Sequence, residues 1–214
     1  MRNPNTEQFW DKKNLCEETK LSRSPIFIDK NQIVANYFSG LSGKLLNIGV
    51  GNGALENLLI RKTFGIEFFG IDISREAIKK INKIVKGKYL AANVQKIPFD
   101  DNLFDFVVEL DVLEHLQKGE SIKSLGEVRR VIKDKGIFII SVPLNESDKD
   151  KNLNRHLVTY DEYTIFQLLR DGGFEITKTK KLYAFKNCYL IKSFLTRLFK
   201  IKKPNLIIVF CRKK

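Results

Sequence analysis

The sequence predicts an α/β domain built on a mostly parallel sheet, and three observations carry that prediction. From residue 44 onward, strand-like runs alternate with helical periodicity. The runs are KLLNIG (44–49), EFFGID (67–72), KYLAAN (88–93), FDFVVE (104–109) and GIFIISV (136–142), and helical patterns at about 53–63, 74–86, 111–131 (open to a break near Gly119) and 160–171 lie between or after them. Near-continuous apolar strands joined through helices make right-handed βαβ units and a parallel sheet. The second observation is a glycine corner between the first run and its helix. The third is the finish, where FEITKTKKLYAF (174–185) and LIIVFCRKK (206–214) are strands separated by a basic helical stretch at about 186–203 rather than by another βα unit.

The corner is KLLNIGVGNGALE (44–56). Gly49, Gly51 and Gly53 stand at alternate positions between a buried strand and the start of a helix. A tight turn there needs unusual φ/ψ, and a Cβ would hold a ligand away from the backbone. The helix start presents unpaired N–H groups and positive partial charge. The corner therefore suits a nucleotide-like ligand. Gly49 to Ala54 fits the G-x-G-x-x-G/A dinucleotide fingerprint, and Asp72 follows where an acidic partner for a ribose belongs. The corner alone does not choose between a dinucleotide and another nucleoside.

Before the sheet, residues 1–43 read as an N-terminal helical appendage. One helix begins at Phe9 and Trp10, and a second begins at Asp29, with Ile33, Val34, Tyr37 and Phe38 on one side. This segment either packs beside the corner or covers a substrate. No run of eighteen apolar residues occurs, so no transmembrane helix is expected. The first residues have no apolar stretch of the secretory kind. Cys16, Cys188 and Cys211 are scattered, without metal spacing or a disulfide pattern, which suits a reducing cytoplasm. No metal site is expected.

Further along, the segments become more selective. Asp72 ends the second strand, and Ser74 reads as the N-cap of the next helix. Asn93-Val94-Gln95-Lys96-Ile97-Pro98-Phe99 resembles a D-A-x-x-L-P-F segment, and Phe104-Asp105-Phe106-Val107-Val108 an F-D-x-V-x strand. Leu110-Asp111-Val112-Leu113-Glu114-His115-Leu116 resembles an E/D-V-L-E-H-L segment. Glu127 to Gly136 resembles E-x-x-R-V-L-K-P-G-G, and Gly172-Gly173-Phe174-Glu175 the turn into a sixth strand. In this order and spacing, over residues 44–176, these segments resemble the class I S-adenosylmethionine-dependent methyltransferases of the type 11 kind.

The resemblance implies a Rossmann-like fold with a seven-stranded sheet in the order 3-2-1-4-5-7-6, helices on both faces and the last strand antiparallel. The methyltransferase domain is then 44–214, with the basic helix as an insertion. The resemblance also implies S-adenosyl-L-methionine as cofactor, contacted by Asn47, Gly49, Gly51, Gly53, Asp72, Ile73, Asn93, Val94 and Leu110. At Asn47 and Asn93 the family has acidic residues, for the methionine ammonium and the adenine amino group respectively. Asn keeps an acceptor at each place and loses the charge.

Two histidines are the candidate catalytic residues, each as base or as substrate anchor. His115 follows the fourth strand, and His156 lies in the loop after the fifth. No N/D-P-P-Y/F segment follows the fourth strand, and no cysteine is placed to attack a pyrimidine ring. Those absences favour a small-molecule methyl acceptor, such as a sugar, a lipid head group or a quinone-like ring, over nucleic acid. An RNA methyltransferase and a non-catalytic cofactor-binding module are the alternatives.

The net charge of +13 is concentrated at the end of the chain. Residues 176–214 hold twelve Lys/Arg and no Asp/Glu, which leaves about +1 for the rest. Within 186–203, Tyr189, Leu190, Ile191, Phe194, Leu195, Leu198 and Ile201 fall mainly on one helical face, and Lys192, Arg197, Lys200 and Lys203 on the other. Such a helix lies on an anionic membrane, covers an apolar substrate pocket, docks its apolar face on its own sheet or binds RNA. The first choice makes the protein cytoplasmic and membrane-peripheral, and predicts exposure of Phe194, Leu198 and Ile201.

Overall fold

A computed structural model describes residues 4–15, 24–185, 189–199 and 203–214. Helices α1 (Glu7–Leu15) and α2 (Pro25–Tyr37) precede strand β1 (Ser42–Ile48). Then follow α3 (Ala54–Leu59), β2 (Gly65–Asp72), α4 (Arg75–Ile81), β3 (Lys88–Ala91) and β4 (Phe104–Leu110). A 3-10 turn (Leu113–His115) leads to α5 (Lys118–Val131), β5 (Ile132–Pro143), α6 (Asp148–Asn154) and α7 (Glu162–Asp171). The chain closes with β6 (Phe174–Leu182), α8 (Tyr189–Phe199) and β7 (Leu206–Lys213).

The seven strands form one sheet in the order β3-β2-β1-β4-β5-β7-β6, as expected. β7 runs antiparallel to both β5 and β6, and the other pairings are parallel. Strand alternation sends neighbouring side chains to opposite faces. On one face Leu46, Ile48, Phe69 and Val107 meet Leu125, Val128, Ile165 and Leu169 of α5 and α7. On the other, Leu45, Phe106, Val108, Ile139 and Ile208 meet Val34 and Ala35 of α2, Phe38 just after it, and Leu55 and Leu59 of α3.

The element ends differ from the sequence reading where caps or bulges decide them. The second helix starts at Pro25 rather than Asp29, because the Ser24 side chain accepts from Phe27 N. The pattern at 111–131 splits, since Gln117 opens α5 with a capping box to Glu120. β5 extends back to Ile132 past a register shift between Phe104 and Phe106. Helix α6 was not expected; its sequence, DKDKNLN, has no apolar stripe, and Ser147 caps it. The basic helix occurs as α8, between β6 and β7; the rest of the predicted 186–203 stretch, including Ile201, falls outside the described residues.

Phe104 is fully buried, with ring centroids 5.2 Å from Phe69 and 5.3 Å from Phe99, both edge-on. This triad holds the loop after β3 against the sheet. Phe104→Ala is expected to lower stability by about 3–5 kcal/mol, read from the midpoint of urea denaturation.

Candidate functional site

The residues singled out from sequence come together at the C-terminal edge of β3, β2, β1 and β4. Register places Asp72 beside Ala91, and Ile48 beside both Ile71 and Glu109. Asn47, Gly49, Asp72, Ile73, Asn93, Val94 and Leu110 therefore fall along one edge. Val94 is buried and Asn93 exposed, and Asn93 Oδ1 accepts from Gln95 N at 2.8 Å.

At the corner, Gly49, Gly51 and Gly53 take φ of +77°, +55° and +71°. A Cβ on Gly49 would meet Val112 Cγ2 at 2.5 Å, so packing as well as φ forbids a side chain there. A Cβ on Gly51 would find only the Gly49 carbonyl oxygen, at 4.0 Å. That space is a cradle open to a ligand. Asp72 Oδ2 accepts from Gly51 N and Oδ1 from Ser74 N, each at 2.8 Å. One carboxylate thus ties the glycine turn to the start of α4. Burial nevertheless pushes its pKa up, and the two backbone N–H bonds oppose that.

Helix α1 lies across this region. Asp11 Oδ1 accepts from Ser74 Oγ at 2.7 Å and Glu76 N at 3.1 Å. Those bonds hold the Asp11 carboxyl below its ordinary range, the Ser74 hydroxyl foremost. Arg75 pairs with Glu7, and Lys80 donates to the Asn14 carbonyl. The opposite side of α1 reaches the histidines. Trp10 meets the His115 ring edge-on at 4.8 Å, and the Arg155 guanidinium lies 4.3 Å from the Phe9 ring centroid. Asn5 Nδ2 donates to the carbonyls of His115 and Arg155.

The two histidines, distant in sequence, meet with ring centroids 4.8 Å apart. His156 Nδ1 is 2.6 Å from Glu146 Oε2, and His115 Nδ1 is 3.3 Å from the Arg155 carbonyl oxygen. Burial, with His156 and Lys13 nearby, pushes His115 down to about 3, so its ring is neutral at pH 7. Glu114, fully buried beside them, is pushed well above the carboxylate range by burial and then by Asp111. Asp111 takes φ +56°, an uncommon choice that Asp tolerates better than most. Its carboxylate accepts from Ser141 Oγ at 2.7 Å and pairs with the buried Lys30 ammonium.

Sequence reasoning missed Glu56. Asn47 Nδ2 donates to Glu56 Oε1 at 2.6 Å, while Asn47 Oδ1 and Glu56 Oε2 are buried without partners among the described residues. A carboxylate from α3 therefore stands against the position where the sequence lacks one. Its signal was an acidic residue in the first turn of a helix whose neighbours Leu55 and Leu59 are core. The open Gly51 cradle and these two unpaired oxygens fit a nucleoside that carries a cationic amino acid end.

Residues 46–140 match the methyltransferase domain family. This match takes in 95 of the 214 residues, and the fold is that of methyltransferases solved with S-adenosyl-L-homocysteine. It is 33% identical to an uncharacterized protein of Methanocaldococcus jannaschii over 164 residues, 76% of this chain and 64% of that one. It is 28% identical to the putative methyltransferase YrhH of Bacillus subtilis, over 61% of this chain and 68% of that protein. The chain thus spans under two thirds of the Methanocaldococcus relative. Among solved structures, the fold matches the N-methyltransferase NodS of Bradyrhizobium japonicum in complex with S-adenosyl-L-homocysteine. That match has TM-score 0.74 and 14% identity, and covers 98% of each chain. A chain of the Haloferax volcanii complex between the Trm112 methyltransferase activator and the putative methyltransferase matches with TM-score 0.74 and 16% identity, over 99% of this chain and 98% of that one. Family and sheet order thus agree with the expectation drawn from the motifs.

Glu56 makes the methyltransferase fold pH-dependent. Complete burial pushes its carboxyl up to about 7, and the Asn47 bond opposes this only partly. A folded pKa above the unfolded one favours the protonated form in the fold. The stability this gives is fully present below the unfolded pKa and is lost as pH rises through about 7. Glu56→Gln is expected to raise stability at pH 8 by about 1–3 kcal/mol and to flatten its dependence between the two pKa values. Denaturant titrations without cofactor, at several pH values, check this.

Proposed function

We propose that the chain methylates a small-molecule acceptor at the edge where the glycine corner and the two histidines meet. The observation that carries this reading is their common cover: α1 contacts Ser74 on the corner side through Asp11 and His115 on the other side through Trp10. A site roofed by the chain's own residues suits a compact acceptor better than a polynucleotide. S-adenosylmethionine, when bound, supplies a methyl group on a positively charged sulfur. What the protein must add is chiefly binding, alignment and exclusion of water.

Under this reading the Gly49–Gly53 backbone and the α3 N-terminus receive the cofactor, with Asp72 toward the ribose and Asn93 toward the adenine. Ile73, Val94 and Leu110 supply apolar contacts. Asn47 and Glu56 together serve the ammonium end, which answers the missing motif carboxylate. On the acceptor side, the Glu146 carboxylate holds a proton on His156 Nδ1, leaving the Nε2 lone pair to anchor or deprotonate the acceptor. His115, neutral, offers a second acceptor nitrogen.

Asp72→Ala is expected to weaken S-adenosylmethionine binding by about 1.5–3 kcal/mol, the scale of hydrogen bonds to a charged group. Isothermal titration checks it, with melting curves to establish folding. Unchanged affinity would reduce Asp72 to a turn residue. Cell extract incubated with isotopically labelled cofactor should yield a labelled small molecule. Labelled RNA would favour the nucleic-acid alternative, and binding without any labelled product would favour a non-catalytic module.

The proposal extends to peripheral contact with anionic membrane through α8. Leu190, Phe194 and Leu198 follow one another at four-residue spacing and are 79%, 66% and 61% exposed, whereas Ser193 and Thr196 are buried. The helix thus turns polar residues inward and an apolar stripe outward, with Lys192 also exposed. Among the described residues no helix is long and apolar enough to cross a membrane. Apolar burial at about 25 cal/mol per Å² and about 1 kcal/mol per basic residue near an anionic surface would add. Co-sedimentation with phosphatidylserine vesicles at low salt, reduced at high salt and lost in Phe194→Ser/Leu198→Ser, is the expected result. No sedimentation at low salt would end this reading.

A further inference from the structure

The histidine pair belongs to a tighter cluster. One donor atom from each of Glu114, His115 and His156 lies within 4.8 Å of the others. Glu114 is 1% exposed, and neither carboxylate oxygen has a hydrogen-bond partner among the described residues. A buried carboxylate left unsatisfied is costly unless something pairs with it. Lys30, the buried cation nearby, is already engaged with Asp111.

The two rings are also held from behind. His156 Nδ1 faces the Glu146 carboxylate at 2.6 Å, and His115 Nδ1 faces the Arg155 carbonyl at 3.3 Å. Both partners are acceptors, so each calls for a proton on Nδ1 and leaves the lone pair on Nε2. Carboxylates and backbone carbonyls behind imidazoles are the usual outer support of metal-ligating histidines. Glu146 is itself only 9% exposed, as that role requires.

We propose that Glu114, His115 and His156 hold one divalent transition-metal ion. Two imidazoles and a carboxylate suit zinc, manganese or iron, whereas magnesium and calcium prefer oxygen donors throughout. Sequence spacing concealed the set, because His156 comes from the loop after β5 and no short ligand motif links it to Glu114 and His115. Three protein ligands leave at least one coordination position open, as in catalytic sites.

The use of that position rests on the methyl-transfer reading. There the ion, which occupies the two histidine Nε2 lone pairs, takes over their role toward the acceptor: the open position takes a hydroxyl of the acceptor, and the ion lowers its pKa. The hydroxyl proton leaves to solvent. The oxygen lone pair forms the new C–O bond while the methyl–sulfur bond breaks, its electron pair remaining on sulfur. The acceptor class is therefore an alcohol, diol or phenol able to coordinate a metal, and the product is its methyl ether.

The test uses the full chain. Apo protein loaded with Zn²⁺ and desalted is expected to retain one equivalent, and its melting temperature to rise with zinc and fall back with chelator. The Co²⁺ form should show visible ligand-field bands without the near-ultraviolet thiolate band that cysteine ligation would give. Glu146→Gln is expected to weaken zinc roughly 10–100-fold, and Glu114→Gln and His156→Ala to weaken it further. Affinity unchanged in all three variants, no zinc-dependent rise in melting temperature, or a thiolate band would overturn the proposal. Cofactor binding is titrated in the same samples. A wild type that binds cofactor and no metal overturns this inference alone. One that holds metal at these residues and binds no cofactor overturns the methyl-transfer reading instead.

Discussion

Asp72 is the joint on which the site's geometry depends. Its two oxygens accept from Gly51 N and Ser74 N, so one carboxylate fixes the turn after β1 and the start of α4 together. Without it, the N–H of left-handed Gly51 and that of Ser74, the cap of α4, would each need another partner. Ser74 passes the constraint on, because its hydroxyl both caps α4 and donates to Asp11 of α1. The cover over the site is thus anchored on the same two residues that shape the glycine corner. The carboxylate does this while nearly buried, which is why the backbone N–H groups must offset its desolvation.

The same sheet edge concentrates other buried acids. Glu56, Glu109 and Glu114 are each no more than 1% exposed, and each has at least one oxygen unpartnered among the described residues. Burial pushes Glu109 up to about 8, against a weak bond from Ser124. Groups of this kind lower the stability of a fold at neutral pH. They lie in α3, at the end of β4 and in the turn after β4, and buried acids with raised pKa values gathered in this way mark a candidate functional site. Glu56 faces the corner and Glu114 the histidines. These are two separate demands for positive charge, which the proposals above meet with an ammonium group at one and an ion at the other.

Helix α8 departs from the ordinary rule for a surface helix. Small polar residues, Ser193 and Thr196, face the protein, and Leu190, Phe194 and Leu198 face outward. Ser193 Oγ is buried without a partner among the described residues, so hydrogen bonds among them do not favour the inward face. Tyr189 ties the helix start to Asp29 of α2 through its hydroxyl at 2.9 Å. Local periodicity had revealed two faces and could not orient them, since an apolar stripe serves equally for a core and for a membrane.

Local sequence determined the elements that period and punctuation specify: the parallel strands, the glycine corner, Asp72 at the end of β2 and the antiparallel finish. Each depends on neighbours in the chain, on alternation of apolar residues or on glycine at positions of positive φ. The motifs in order added the family and hence the strand order. What only the tertiary structure decided is which distant groups meet. Asn47 does not stand alone, because α3 folds Glu56 against it. His156 becomes a partner of His115 because α6, a charged helix with no apolar stripe to announce it, ends in the turn that holds Arg155 and His156 beside Glu114. These pairings come from packing and from hydrogen bonds between segments far apart in sequence, where one-dimensional spacing carries no information.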